Sequence, residues 1–443
     1  MDLAIIGVGH VGLVTAAVFA DLGHRVIGLD DDADKIATLA AGGVPFHEPG
    51  LAELLAKVTA DGSLTFTGDL EEAVHHAEVV FVCVGTPPLP GGGPDLRFVE
   101  RVGQQVARYA DRELVLVEKS TVPANTGARL TQVIERERAA LGREQHLVHV
   151  ASNPEFLREG VAVKDTAEPD RIVYGTASDF ARDQLRAVYA PMVERVGCPV
   201  VETDVPTAEL IKHASNAFLA TRLSFINAVA NVCDRVGADV EVVAEGMGHD
   251  ARIGHAFLRA GLGYGGSCFP KDVDAFAHLS RQVGYEFGLL EEVRAINAGQ
   301  RDMVMDRLRD ELWHLQGKTI AILGATFKPG TDDLREAPAL YLARDLMAEG
   351  ATVRIYDPVA LPGVAAELPD AILVDDPLEA CRGAHAAVIA TEWEEIAGLD
   401  PVDLKDALDY PILVDGRNCL DAEAALAAGL HYHGVGRGHL RSR

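Results

Sequence analysis

The chain is poor in the residues that build cross-linked or metal-held scaffolds. Its six cysteines (Cys83, Cys198, Cys233, Cys268, Cys381, Cys419) are scattered, with no Cys-x-x-Cys pair and no metal-ligand spacing. That pattern excludes a disulfide framework and a zinc knuckle, and it predicts a protein of a reducing compartment, the cytoplasm, with no structural metal. No apolar run reaches the length of a membrane span, and the run Val11 to Ala20 lacks the basic leader of a signal peptide, so no membrane association is expected. Positive charge is scarce as well: 40 Lys and Arg stand against 67 Asp and Glu, a formal net charge of -27. A uniformly acidic surface repels polyphosphates, which excludes nonspecific binding to nucleic acid. An anionic small ligand would need a local basic site. Only nine of the basic residues are lysine, so Lys119, Lys212, Lys271 and Lys328, each in or beside a Gly, Cys or Pro motif, carry information.

What is present is an ordinary globular composition, 48% hydrophobic and 24% charged, over 443 residues. That length exceeds one hydrophobic core and predicts two or three domains. The apolar run Leu3 to Ile6, the turn Gly7-Val8-Gly9-His10-Val11-Gly12 and the Ala/Val/Leu-rich segment to Leu22 read as strand, turn and helix. A second strand, Arg25 to Leu29, ends at Asp30, eighteen residues beyond Gly12. This is the order of a dinucleotide site: glycines let the backbone approach a pyrophosphate, the helix start faces its charge, and the acid bonds the ribose hydroxyls. Asp30-Asp31-Asp32 would repel a 2′-phosphate, which favours NAD over NADP. Strands at Val79 to Val84, Leu114 to Val117 and Leu147 to Ala151 end in Gly85-Thr86-Pro87-Pro88, Glu118-Lys119-Ser120-Thr121-Val122-Pro123 and Ser152-Asn153-Pro154-Glu155-Phe156-Leu157-Arg158-Glu159-Gly160. Ligands collect at the carboxyl ends of such strands, so Thr86, Thr121 and the carboxylates of the third segment are expected to face one cleft.

From Asp204-Val205-Pro206 to about Val236 no helix breaker occurs, which predicts one long helix. Glu209, Lys212 and Asn216, spaced three and four apart, share one of its faces. The residues Ile211, Ala214, Ala217 and Phe218 around Lys212 argue against plain solvation. The run Gly261-Leu262-Gly263-Tyr264-Gly265-Gly266-Ser267-Cys268-Phe269-Pro270-Lys271-Asp272 sets one cysteine between a glycine-rich approach and a Pro-Lys-Asp exit. Four glycines in six residues suit unusual main-chain angles or close approach to a ligand. Lys271 would lower the thiol pKa. A buried, inert cysteine is the alternative. At Lys318 the βαβ pattern restarts, with strands Thr319 to Leu323 and Thr352 to Tyr356, a loop that carries Lys328 and Arg335, and later strands at Ala386 to Ala390 and Ile412 to Val414, the last leading to Arg417. The tail from His431, rich in Gly, His and Arg, is expected to be loose. The fold class is α/β, with two Rossmann-like doubly wound domains joined by a long central helix and a helical middle domain. The boundaries are drawn at 1–200, 201–310 and 311–443.

The motifs GVGHVG (7 to 12), VGTPP (84 to 88), EKSTVP (118 to 123), NPEFLREG (153 to 160), the Lys212/Asn216 helix, GYGGSCFPKD (263 to 272) and FKPGTDDLRE (327 to 336) closely resemble those of the UDP-glucose/GDP-mannose dehydrogenases, in particular the UDP-glucose 6-dehydrogenase family. The resemblance covers nearly the whole chain. It implies oxidation of the sugar C6 alcohol of UDP-glucose to a carboxylate with two NAD, in a homodimer. It implies Cys268 as nucleophile, Lys212 and Asn216 as oxyanion donors, Asp272 as a catalytic carboxylate, Glu155 in thioester hydrolysis and Thr121 as a water-positioning hydroxyl. NAD would be held by Gly7, Gly9, Val11, Gly12, Asp30, Lys35, Thr86, Thr121, Glu159, Lys271 and Arg335. The UDP-sugar would be held by Phe156, Leu157, Arg158 and Glu159, by Lys212 and Asn216, by Tyr264 and Gly265, by Lys328 and Arg417, and by Arg252 from the neighbouring subunit. The same frame serves UDP-N-acetylhexosamine or GDP-mannose, and Gly160 after Glu159 suits the UDP-glucose branch better than the GDP-mannose one. A two-electron hydroxyacid-type dehydrogenase with a structural Cys268, and a silent nucleotide sensor, are the rival readings.

Overall fold

The computed structural model describes residues 1–90, 93–143 and 147–440. It divides into two compact units, Met1–Ser215 with Asp274–Gly284, and Asn216–Val273 with Tyr285–Arg443. Each is built on its own sheet.

In the first unit, strands β1 (Asp2–Ile6), β2 (Arg25–Leu29), β3 (Leu64–Thr67), β4 (Val79–Val82), β5 (Leu114–Glu118), β6 (Val148–Ser152), β7 (Ile172–Thr176) and β8 (Val200–Thr203) form one sheet in the order β3-β2-β1-β4-β5-β6-β7-β8. All pairs are parallel except β6 with β7. The central strands read as unbroken apolar runs because both faces of the sheet are covered. On β1, Leu3 and Ile5 join one core with Val14, Val18 and Phe19, while Ala4 and Ile6 join another with Val80, Val102 and Leu116. The strand order reverses at β1 and β4, so the loops after β1, β4, β5 and β6 are where a ligand crevice opens in such a sheet.

In the second unit, β9 (Thr319–Leu323), β10 (Thr352–Tyr356), β11 (Ile372–Val374), β12 (Ala386–Ile389), β13 (Ile412–Asp415) and β14 (His431–Gly434) make an all-parallel sheet, β11-β10-β9-β12-β13-β14. The expectation of a loose tail is wrong up to residue 440. Strand β14 extends the sheet and Tyr432, Val435 and Leu440 are buried; residues 441–443 lie outside the described residues. His431-Tyr432-His433-Gly434 carries too little apolar pattern to read as a strand, and pairing to β13 is what orders it.

The central helix runs Val205–Val236, 32 residues, or about 48 Å at 1.5 Å per residue. Its start is set by Asp204, whose carboxylate accepts the Thr207 N–H at 2.8 Å, and by Pro206, which costs no hydrogen bond in a first turn. The loop around Cys268 is shorter than the sequence suggested. The helix Phe269–Gln282 begins directly after the cysteine, so Lys271 and Asp272 stand in its first turn. No helix among the described residues is long and apolar enough to cross a membrane.

Candidate functional site

Beyond β1 the three glycines have three different environments. Gly7 turns with φ 91°, and a Cβ on Gly12 would stand 1.8 Å from the Gly7 carbonyl oxygen, so these two make the tight turn and the close strand–helix packing. A Cβ on Gly9 would meet nothing within 4 Å. Open space beside the second glycine is what a pyrophosphate needs at the start of the helix His10–Asp21, in which Val11 lies. Asp30, at the end of β2, accepts the Val8 N–H and the Lys35 ammonium, each at 3.0 Å, and the Asp32 N–H at 3.1 Å. Three donors on a carboxylate with about four acceptor positions leave room for a ribose hydroxyl.

The second unit repeats this geometry with a different result. Asp357 ends β10 as Asp30 ends β2, but its carboxylate takes six donors: the N–H groups of Ala325, Thr326, Val359 and Ala360, the Thr326 hydroxyl and the Trp393 indole. Nothing is left for a ribose. The glycine turn and Asp30 of the first unit fit a dinucleotide, and Asp357 at the matching strand end of the second does not offer the ribose contact.

Lys212 and Glu155 meet in the first unit, Nζ to Oε1 at 2.9 Å, both almost fully buried, and Glu155 Oε2 also accepts the Leu157 N–H. Lys212 is therefore not a solvated helix-face lysine. Of the apolar neighbours expected to bury it, Ala217 is buried and Ile211 partly so, but Ala214 and Phe218 are exposed. The carboxylate on the β6 loop draws it in. Glu209 does not pair with Lys212 along the helix; its carboxylate turns to the main chain of Asn125 and Gly127. A second lysine, Lys119, is buried beside the pair, with Nζ on Asn153 Oδ1 at 3.0 Å, where Tyr189 also donates its hydroxyl. Burial holds Lys119 below the usual lysine range, only partly offset by the nearby Cys83 and Glu155. Thr86 and Thr121, from adjacent strand ends, are joined by the Thr86 hydroxyl donating to the Thr121 carbonyl at 3.0 Å. Phe156 stacks under Arg171, Arg158 turns out onto Asp165, and Glu159 is buried.

In the second unit Cys268 is half-buried at the N-terminus of the helix Phe269–Gln282. Its Sγ lies 3.5 Å from Ser267 Oγ, and its carbonyl accepts the Asp272 N–H. The positive end of a helix favours a thiolate. The Lys271 charge expected to do this is engaged elsewhere, its Nζ standing 2.6 Å from Asp272 Oδ1. Asp272, fully buried, accepts on its other oxygen from Asn216 Nδ2 at 2.5 Å. Asn216, Asp272 and Lys271 thus form one network. The glycines before the cysteine serve close packing within this unit. Gly263 has φ 98°, and a Cβ on Gly265 would stand 2.1 Å from the Glu336 carbonyl. Asn297 locks Tyr264 by bonding both its N–H and its carbonyl. Arg417 donates to the Gly263 and Ala390 carbonyls. Lys328 lies over the Phe327 ring and Arg335 is bidentate on Asp333. Arg252 is exposed and paired with its neighbour Asp250.

Family descriptions match along the chain in the same order. The NAD binding domain of the UDP-glucose/GDP-mannose dehydrogenase family matches residues 1–193, its central domain 206–299 and its UDP binding domain 321–422. The chain belongs to this family. It is an oxidoreductase, and NAD is its cofactor. Among family members, UDP-glucose 6-dehydrogenase YwqF of Bacillus subtilis (strain 168) is 43% identical over 438 residues, covering 99% of this chain and 98% of its own. The UDP-glucose 6-dehydrogenase of Pseudomonas aeruginosa PAO1 is 44% identical, covering 100% and 99%. The structure of a UDP-glucose dehydrogenase from Pyrobaculum islandicum superposes with a TM-score of 0.91 at 39% identity over 98% of both chains. A UDP-D-ManNAc dehydrogenase from Pyrococcus horikoshii gives 0.87 at 28% identity, over 99% of this chain and 100% of that one.

The sequence pointed to Lys119, Asn153 and Glu209 without their partners, and to Asn297 and Glu48 not at all. Each acts on main chain or on another polar side chain at long sequence separation, so no local spacing announces it.

Proposed function

We propose that this enzyme oxidises UDP-glucose to UDP-glucuronate in two steps on one site, with Cys268 as covalent nucleophile. The observation that carries the reading is the half-buried thiol at the start of a 14-residue helix, next to the Asn216–Asp272–Lys271 network. In the first oxidation the C6 hydroxyl loses its proton to a base and carbon C6 loses a hydride, leaving an aldehyde. The Cys268 thiolate adds to the carbonyl carbon and gives a thiohemiacetal whose oxygen takes the charge. Loss of a second hydride leaves a thioester, which water cleaves to the carboxylate and the free thiol. NAD, when bound, supplies the hydride acceptor for each oxidation, so one turnover consumes two. Lys212 and Asn216, one turn apart on the central helix, donate to the developing oxyanion. Asp272 and Thr121 handle the proton and its water, and Glu155, held by Lys212, serves thioester hydrolysis.

The cofactor set is Gly7, Gly9, Val11, Gly12, Asp30, Lys35, Thr86, Thr121, Glu159, Lys271 and Arg335. The UDP-sugar set is the Phe156–Glu159 main chain, Lys212, Asn216, Tyr264, Gly265, Lys328, Arg417 and Arg252 of a second copy. Residues 1–200 form the NAD domain, 201–310 the central domain and 311–443 the UDP-sugar domain. Glucose is favoured over an N-acetylated hexosamine by identities of 43% and 44% to the UDP-glucose enzymes against 28% to the UDP-D-ManNAc enzyme. A homodimer is supported by the apolar row Phe218, Phe225 and Val232, spaced by sevens on the central helix and each at least half exposed. Six free cysteines support a cytoplasmic setting.

The deciding measurement is NADH formed per UDP-glucose consumed, expected at two. A ratio of one rejects the four-electron route. In single turnover, Cys268→Ala is expected to release no acid, and acid release at the wild-type rate rejects the thioester.

A further inference from the structure

Two buried carboxylates outside the proposed catalytic set make the same unusual contact, both within the first unit. Glu209 accepts the Asn125 N–H on Oε2 at 2.6 Å and the Gly127 N–H on Oε1 at 2.7 Å. Glu48 accepts the Gly160 N–H on Oε2 and the Ala162 N–H on Oε1, each at 2.7 Å. Each glutamate spans two N–H groups where the chain leaves a strand-end loop and enters a helix. For Glu209 the loop carries Thr121 and the helix is Thr126–Ala140; for Glu48 the loop carries Phe156–Glu159 and the helix is Ala162–Ala167.

Helix starts are ordinarily satisfied by a side chain at the N-cap itself. Asp32, Asp69, Asp239, Asp376, Asp400 and Asp421 do this elsewhere in the chain. At these two helices the N-cap residues, Asn125 and Val161, give no side-chain cap, and the carboxylate is imported from 82 to 114 residues away. A local cap would satisfy the same N–H groups. An imported one also fixes the loop to a distant element.

The elements so joined are those that carry the proposed chemistry. Glu209 and His213 flank Lys212 on the central helix. The His213 Nε2–H donates to the Val122 carbonyl at 2.8 Å, next to Thr121, and His213 is buried. One stretch of helix therefore holds the loop after Thr121 at two points while Lys212 holds Glu155. Glu48 follows Phe46, whose ring stacks on His10 of the glycine turn at 3.8 Å between centroids. That segment ties the Phe156–Glu159 loop to the dinucleotide turn.

We propose that Glu209 with His213, and Glu48, are positioning residues. The first pair sets Thr121 for proton and water handling, and the second sets the main chain that holds the UDP-sugar. The assignment of what each loop does rests on the function proposed above. The test uses the full-length enzyme with Glu209→Gln, His213→Gln and Glu48→Gln, with rates expressed per NADH-binding site from fluorescence titration. In the two glutamate variants glutamine keeps one acceptor and sets an NH2 against the other N–H, which loosens the clamp without changing its size; in His213→Gln the donor to the Val122 carbonyl is displaced. Loss of one hydrogen bond at the clamp predicts opposite splits of about tenfold. Glu209→Gln and His213→Gln lower kcat and leave KM for UDP-glucose within about twofold, whereas Glu48→Gln raises that KM and leaves kcat within about twofold. Variants that change only the number of NADH-binding sites, with wild-type kcat and KM per site, overturn the proposal, as does a reversed split. If Glu209→Gln does not fold, His213→Gln decides the kcat arm. A wild-type enzyme that turns over another UDP-sugar and not UDP-glucose overturns the substrate assignment alone, and the splits are then read on that sugar.

Discussion

Lys212→Ala leaves the buried Glu155 carboxyl without its partner, and the structure sets the size of the effect. The pair is 2.9 Å apart and nearly solvent-free. At an effective dielectric constant of about 20 the direct attraction is about 6 kcal/mol. Desolvation of both ions consumes much of that, and removing one member of a buried pair costs about 3–5 kcal/mol. Lys119 is close enough to Glu155 for their charges to interact, so the lower end, about 3 kcal/mol, is expected. With a urea m value of about 3 kcal/mol per M, the midpoint falls by about 1 M. Both tryptophans, Trp313 and Trp393, belong to the second unit. Tryptophan fluorescence is therefore the control and far-UV circular dichroism the signal: the shift should appear in dichroism and be small in fluorescence. Lys212→Met with Glu155→Leu, which removes both charges at similar volume, should recover most of the loss. A dichroism midpoint within about 0.3 M of wild type, or a double variant no more stable than Lys212→Ala, refutes the buried-pair account.

Burial pushes Glu118, at the end of β5, up to about 8, with Ser120 only partly offsetting it. A carboxyl held above its unfolded value of about 4.3 binds more protons folded than unfolded, so stability is fullest below about pH 4.3 and declines as pH rises toward 8, by a few kcal/mol in all. Glu118→Gln should flatten urea midpoints measured from pH 5 to pH 8, and an unchanged slope rejects the assignment. If the proposed dimer forms through the central helix, Phe218→Asp with Phe225→Asp should yield monomers in sedimentation velocity at micromolar concentration, because each charge would be buried in an apolar contact; a wild-type monomer rejects the dimer, and a dimer that survives both substitutions rejects this interface.

The two dinucleotide-type folds were legible wherever main-chain periodicity and punctuation are local. Leu3 to Ile6, Gly7 to Gly12 and Asp30 announce strand, turn and strand end within thirty residues, and the restart at Thr319 does the same. The short edge strands β3, β11 and β14 were not legible, since three or four residues half-exposed at a sheet edge carry too little pattern and are ordered by the strand beside them. Identity of the candidate site residues was carried by motifs, but their state was not. Sequence offered Lys271 as the group that activates Cys268, whereas Asp272 engages that charge and the helix start lies next to the thiol.

By itself the sequence determined the order of the parts: a glycine turn with an acid at the next strand end, a helix of 32 residues, one cysteine in a glycine run, and a second α/β unit. These depend on contacts between near neighbours along the chain. Tertiary structure alone decided which charges are buried and against what. Lys212 is drawn in by a glutamate 57 residues away. Glu209 and Glu48 cap helices they do not belong to. Asp357 spends its carboxylate on its own main chain, while Asp30 keeps room for a ligand. A charge taken out of water must find a partner, and that partner is set by the folded path of the chain and not by its spacing.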